Sequence, residues 1–266
     1  MKKVSEFFGC FLPIVVALGC QLLVTAGSLV FYGNVLNESA AYASAVLVIT
    51  AIATAVTLVI GAVWYRGYRP ETDFDFKGTV RLPLIVVMLC MGLLLQMWVS
   101  VLLNAVYPML PQAITEEYSE LMETLVGGNV WLSLLVTVVL APLAEEFLFR
   151  GVTLKKAESV MPFMAANALQ AFLFGVYHLN WIQGTYAFVL GLILGYVAKE
   201  FRSVWAAIFL HAFVNASGEL LHYLPEHLTK NYEGIEFLIL TSTVLCGITA
   251  SLYQEAKGES ERKPKV

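Results

Sequence analysis

The chain has 266 residues, 59% of them hydrophobic and only 14% charged, with a formal net charge of −4 and a mean hydropathy of +0.74. An ordinary soluble domain carries about 25% charged residues, so there is too little polar surface here to cover a soluble core. The acidic balance, with no concentrated basic patch, leaves no electrostatic footprint for nucleic acid.

The first apolar run, Phe7 to Tyr32, far exceeds a signal-peptide core of about 7–15 residues and is followed by no convincing cleavage site. It reads as a membrane helix that stays. Runs of about 20 apolar residues, the length that crosses a bilayer, recur at 7–32, 40–65, 82–107, 130–153, 163–179, 182–198, 203–221 and 234–254. Gly33-Asn34, Gly67 to Pro70, Pro108 to Pro111, Gly127-Gly128 and Pro225 punctuate them. The fifth and sixth runs are short and close on each other around Asn180, which predicts a tight hairpin.

Charge placement tests that count. With eight crossings, 14 of the 16 basic residues fall on one side, leaving Arg150 inside a helix and Lys230 alone opposite. The positive-inside rule then places both termini in the cytoplasm. The loop 108–129 on the opposite side carries Glu116, Glu117, Glu120 and Glu123 and no base. The expectation is an all-α polytopic protein with eight transmembrane helices, N-in and C-in, in a bacterial cell membrane. Residues 1–256 form one integral-membrane domain, and 257–266 form a disordered polar cytoplasmic tail. Cys10, Cys20, Cys90 and Cys246 all lie in predicted spans without CxxC spacing and read as buried small hydrophobes.

The fourth run holds the feature that most needs explaining, Glu145-Glu146-Phe-Leu-Phe-Arg150. A charge at mid-membrane costs about 2.5–3.5 kcal/mol on insertion scales. Three within six residues must be paired, hydrated or retained for function; the plain alternative is a cluster that snorkels to the interface. On a helix Glu146 and Arg150 stand four apart with the acid first, the favourable order for an ion pair, while Glu145 points about 100° away. Pro142, one turn earlier, removes a backbone donor and predicts a kink with room for water near Glu145.

The fifth run sets Asn167, Gln170, Phe174 and His178 on one face, and the seventh sets His211 one turn before Asn215. Asn167 and Gln170 read as interhelical hydrogen bonders; His222 and His227 read as solvated loop residues. Gly184, Ala187, Gly191, Gly195 and Ala198 form a small-residue stripe suited to close helix packing. A desolvated carboxylate, two imidazoles and a carboxamide are the parts hydrolysis needs: a base for water, a proton carrier, and donors for an oxyanion. Neither G-x-S-x-G nor HExxH occurs.

These motifs resemble a known family. Glu145-Glu146-x-x-x-Arg150 is similar to the EExxxR motif of the CPBP family, the Abi-like CAAX-protease and bacteriocin-processing intramembrane proteases related to Rce1-type prenyl endopeptidases. Phe174-Gly-Val-Tyr-His178 resembles its FxxxH motif and His211-Ala-Phe-Val-Asn215 its HxxxN motif, in family order on three helices across roughly 130–220. The resemblance implies an eight-helix core with a cavity open toward the cytoplasm. It implies that Glu145 activates water, His178 assists, His211 and Asn215 stabilise the oxyanion, and Glu146 and Arg150 organise the site. The expected activity is an intramembrane endopeptidase acting on a membrane-associated peptide or protein substrate.

Two other classes compete. A non-catalytic membrane partner serving regulation or bacteriocin self-immunity would need the fold but not the full motif set. A proton-coupled transporter would use similar buried residues, but internal repeats and paired broken helices are missing. Members of the family have been described as metalloproteases, and Glu145, His178 and His211 are the candidate zinc ligands. The metal-free form is preferred, because assigning His211 and Asn215 to an oxyanion leaves too few ligands. Oligomeric state and substrate identity are not encoded legibly.

Overall fold

The computed structural model describes residues 2–32, 39–69, 73, 76–126, 129–222 and 232–262. These form helices and short connections. In chain order they are α1 (Lys2–Gly9), α2 (Leu12–Tyr32), α3 (Ser39–Tyr68), α4 (Leu82–Val106), α5 (Gln112–Val126), α6 (Val130–Glu158), α7 (Phe163–Tyr177), α8 (Trp181–Glu200), α9 (Val204–His222) and α10 (Tyr232–Arg262), with a single turn at Phe76–Thr79.

Seven of the described helices are long and apolar enough to cross a membrane: Glu6–Ser28, Ser44–Tyr68, Leu82–Met109, Val130–Glu158, Trp181–Glu200, Val204–Leu221 and Glu236–Glu255. Their outward faces carry exposed Leu22, Leu23, Val59, Val139, Leu240 and Val244, the arrangement expected when the solvent is lipid. The chain is thus an integral membrane protein. The fifth apolar run is the one that falls short. As α7 it has 15 residues, about 22 Å at 1.5 Å per residue, against a hydrocarbon core of about 30 Å. Pro162 starts it from an extended backbone, and Leu179, at φ 53°, ends it in the left-handed region. Asn180 then caps α8 by accepting from the Gln183 amide at 3.0 Å, which closes the expected hairpin.

Two further departures have local causes. The stretch after Pro111, read from sequence as an acidic loop, contains the amphipathic helix α5, packed against α3, α6 and α8. Residues 257–262, expected to belong to a disordered tail, continue α10 to Arg262; Ala256, Glu259, Glu261 and Arg262 are all adequate helix formers. Lys230 and His227 lie outside the described residues.

α6 and α9 are the most buried spans. α6 touches α2, α3, α7, α8 and α9, while α4 packs behind α9 and α10 covers α4. At one end of the bundle Lys155 pairs with Asp73 at 2.9 Å, Lys156 with Glu6 at 3.4 Å, and Lys199 with Glu158. The acidic helix α5 occupies the opposite end, where Asn180 Nδ2 donates to Glu117 at 3.2 Å.

Candidate active site

The chemistry-bearing segment of α6 is not a plain α-helix. Leu135–Leu140 and Phe147–Leu154 are wound as π-helix, flanking α-helical Ala141–Glu146. Such wide turns are rare and recur at functional sites. Pro142 explains part of the first. The Ala141 N–H reaches back five residues to Val136 O, and residue 142 has no N–H to offer. The Thr137 carbonyl therefore lacks a helical donor, and Asn215 Nδ2 of α9 donates to it at 2.7 Å. A proline on one helix thereby fixes a carboxamide on another.

Glu145, Glu146 and Arg150 lie near the middle of α6, and every residue from 144 to 154 is buried. Glu146 and Arg150 are completely enclosed, which removes the interfacial-snorkelling alternative. Arg150 Nη1 donates to Glu146 Oε1 at 2.8 Å, the intrahelical pair the spacing predicted. Its Nη2 donates to Gly191 O on α8 at 3.3 Å, and its guanidinium lies 4.3 Å from the Phe174 ring centre. The cation is thus held by a carboxylate, a carbonyl and an aromatic face, as a buried charge requires.

His211 reads both acids. Its Nδ1 is 2.8 Å from the same Glu146 Oε1 and its Nε2 is 3.8 Å from Glu145 Oε2. Because Glu146 is the acceptor for Arg150, Nδ1 is the donor, and the ring is oriented with Nε2 toward Glu145. That 3.8 Å gap is too long for a direct hydrogen bond, and an oxygen bonded to both groups at about 2.8 Å would sit beside the line joining them. His178 terminates α7 with Nδ1 donating to Phe174 O at 2.8 Å, so Nε2 carries its lone pair. Phe174 meets His178 edge-on at 4.8 Å and His211 edge-on at 5.8 Å. Both imidazoles thus flank one ring, although His178 sits at the far end of its helix.

Asn167 and Gln170 serve the scaffold around this site. Asn167 Nδ2 donates to Leu192 O at 2.9 Å; Gln170 Nε2 donates to Gly191 O at 2.9 Å and to Asn167 Oδ1 at 2.7 Å. The small-residue stripe of α8 makes this approach feasible: a Cβ at Gly191 would sit 3.0 Å from Ala171 of α7, and one at Gly175 2.7 Å from Gly184 O.

One buried acid escaped the sequence reading. Glu219 of α9 is only 7% exposed. Its Oε1 accepts from Ser133 Oγ at 3.0 Å and lies 3.1 Å from Thr137 Oγ1, both on α6. The signal was present, since Glu219 follows His211 and Asn215 at successive steps of four, one turn beyond the last motif residue.

Catalytic zinc needs three protein ligands around one point, and among the described residues no three His, Cys, Asp or Glu side chains are grouped to hold an ion. His211 commits Nδ1 to Glu146 and His178 commits Nδ1 to a carbonyl, which leaves Nε2 of each ring as the nitrogen available to a reacting group.

A family profile described as Type II CAAX prenyl endopeptidase Rce1-like matches residues 127–217, the stretch that carries α6 to α9 and all three motifs. No curated protein and no solved structure matches the chain. Over that segment the chain is similar to the Rce1-like CAAX proteases.

Proposed function

We propose that this Rce1-like membrane protein is a metal-free intramembrane endopeptidase in which Glu145 activates water, His178 assists proton transfer, and His211 with Asn215 stabilises the oxyanion. The substrate is a membrane-associated peptide or protein, and the termini lie in the cytoplasm. The observation that carries this reading is His211, whose Nδ1 is bound by Glu146 while Nε2 faces Glu145 across 3.8 Å.

In the proposed reaction a water beside Glu145 gives it a proton as its oxygen attacks the scissile carbonyl, with the His178 Nε2 lone pair as a second acceptor. The carbonyl oxygen becomes an oxyanion that accepts from the doubly protonated ring of His211 through Nε2, and from Asn215. Glu146 offsets the charge on that ring, and Arg150 holds Glu146 in place. Asn215 has two amide protons: one is spent on Thr137 O, and the other remains for the substrate. Collapse of the tetrahedral species breaks the C–N bond, and the proton taken from water passes to the leaving amine. Such preorganised donors often supply the largest single share of acyl-transfer catalysis.

The test is cleavage of a quenched fluorescent peptide bearing a C-terminal CAAX sequence, with and without a prenyl group, by purified protein in lipid nanodiscs. Wild type should cut, and Glu145→Gln, which keeps the shape and loses the base, should not, with equal insertion and yield. Equal turnover by Glu145→Gln would sink the assignment and leave the non-catalytic partner reading ahead.

A further inference from the structure

Three residues of α9, His211, Asn215 and Glu219, face α6 in successive turns, and each meets a different level of it. His211 meets Glu146; Asn215 meets the Thr137 carbonyl; Glu219 meets the hydroxyls of Thr137 and Ser133. The proposed mechanism uses the first two and not the third. Glu219 also lies two residues beyond the matched segment 127–217, so the family signature does not account for it. A carboxylate within a span is expensive to keep without a task.

Thr137 links the two upper levels. Its carbonyl accepts from Asn215, while its hydroxyl lies 2.9 Å from Ser133 O and 3.1 Å from Glu219 Oε1. Thr137 sits in the π-wound turn, where Pro142 has removed the donor that would otherwise hold its carbonyl. The Thr137 carbonyl at this turn depends on side chains for its hydrogen bonding. A carboxylate gripping the Thr137 side chain from one side, with Asn215 on its carbonyl from the other, restrains it.

We propose that Glu219 is a positioning residue: acting through Thr137 and Ser133, it fixes the carbonyl that orients Asn215, and so aims the remaining Asn215 N–H at the reacting oxygen. This rests on the oxyanion role proposed for Asn215. Glu219 does not touch the substrate and takes no proton from it.

The experiment measures kcat and KM separately on the same reporter peptide for wild type, Glu219→Leu, Glu219→Gln, Thr137→Val, Asn215→Ala and the double variant Asn215→Ala/Glu219→Leu, with melting temperature read alongside. Loss of an oxyanion donor costs about 100- to 1,000-fold in kcat, and misaiming it costs part of that. Glu219→Leu is expected to lower kcat at least ~10-fold with KM within about two-fold, and Glu219→Gln, whose amide oxygen still accepts from both hydroxyls, to restore most of it. In the Asn215→Ala background, Glu219→Leu should cost little more, because both changes act on one donor. A full second loss in that background, a Gln variant as impaired as the Leu variant, or a loss carried by KM would overturn the proposal. If Glu219→Leu fails to fold, Thr137→Val, which keeps volume and removes the hydroxyl, is paired with Asn215→Ala in the same cycle, and additivity there overturns it equally. Cleavage by wild type that is lost in Glu145→Gln upholds the underlying reading independently; no cleavage by wild type would take down both.

Discussion

Glu146 and His211 meet on a single oxygen: Glu146 Oε1 lies 2.8 Å from His211 Nδ1 and 2.8 Å from Arg150 Nη1. One carboxylate atom therefore sets both the position of a buried arginine and the orientation of a buried histidine ring, while its neighbour Glu145 is left facing Nε2. The paired acids divide their tasks because successive helical residues point about 100° apart.

Glu146→Gln removes the charge that compensates Arg150, both groups being fully enclosed. Breaking one member of a buried pair costs about 3–5 kcal/mol. The expected outcome is a large drop in melting temperature in detergent for Glu146→Gln, with Glu145→Gln close to wild type. Equal melting of all three proteins would show that Arg150 finds compensation elsewhere, for which Gly191 O is the nearest candidate.

Gly195→Ala tests the hairpin that carries Phe174 and His178. A Cβ there would lie 2.7 Å from Gln170 Nε2 and collide with the Asn167 amide, so the amide ladder joining α7 to α8 must break or the helices must part. Overpacking of this kind costs about 1–3 kcal/mol. Gly19→Ala is the control, because nothing lies within 4 Å of its Cβ position. Thermal unfolding should separate the two, and indistinguishable melting curves would contradict the close contact.

Much of this was legible in the chain. Hydropathy alone marks the spans, and the four-residue step from Glu146 to Arg150 anticipates their ion pair because helical geometry permits little else. Other features depend on tertiary contact. The short α7 hinges on the left-handed turn at Leu179, which a leucine, rarely found at positive φ, does not announce. The acidic stretch 112–126 is polar enough to read as a loop, and becomes a helix where its apolar face finds α3 and α8. Pro142 signalled a disturbed helix, but the wide turns, and the carbonyl they hand to Asn215, depend on α9 being there to accept it.

The two ends of the bundle differ in charge, and the expected orientation follows from that difference. In a cysteine-free background, Glu120→Cys on α5 should react with a membrane-impermeant maleimide from outside intact cells. Ser159→Cys, exposed beside Lys155 and Lys156, should react only after permeabilisation. The reverse pattern would place the basic rim outside and invert the proposed topology.

Metal content separates the glutamate-type reaction from a zinc-assisted one more sharply than chelators do, since a buried ion resists extraction. The geometry gives two nearby donors, Glu145 and His211, without a grouped third among the described residues. Catalytic zinc with three protein ligands would be retained at about one equivalent per chain through purification. The expectation is a zinc content well below stoichiometric in active, detergent-purified wild type, unchanged in His178→Ala and His211→Ala, while both variants lose turnover. His211→Ala should also free Glu146 to bind Arg150 alone, so its melting temperature should fall less than that of Glu146→Gln. One equivalent of zinc in wild type that disappears in both histidine variants would replace the proposed mechanism with Lewis-acid activation of water. The peptidase assignment would survive, with Glu145, His178 and His211 rearranged as ligands, and the oxyanion role would pass from His211 to Asn215 alone.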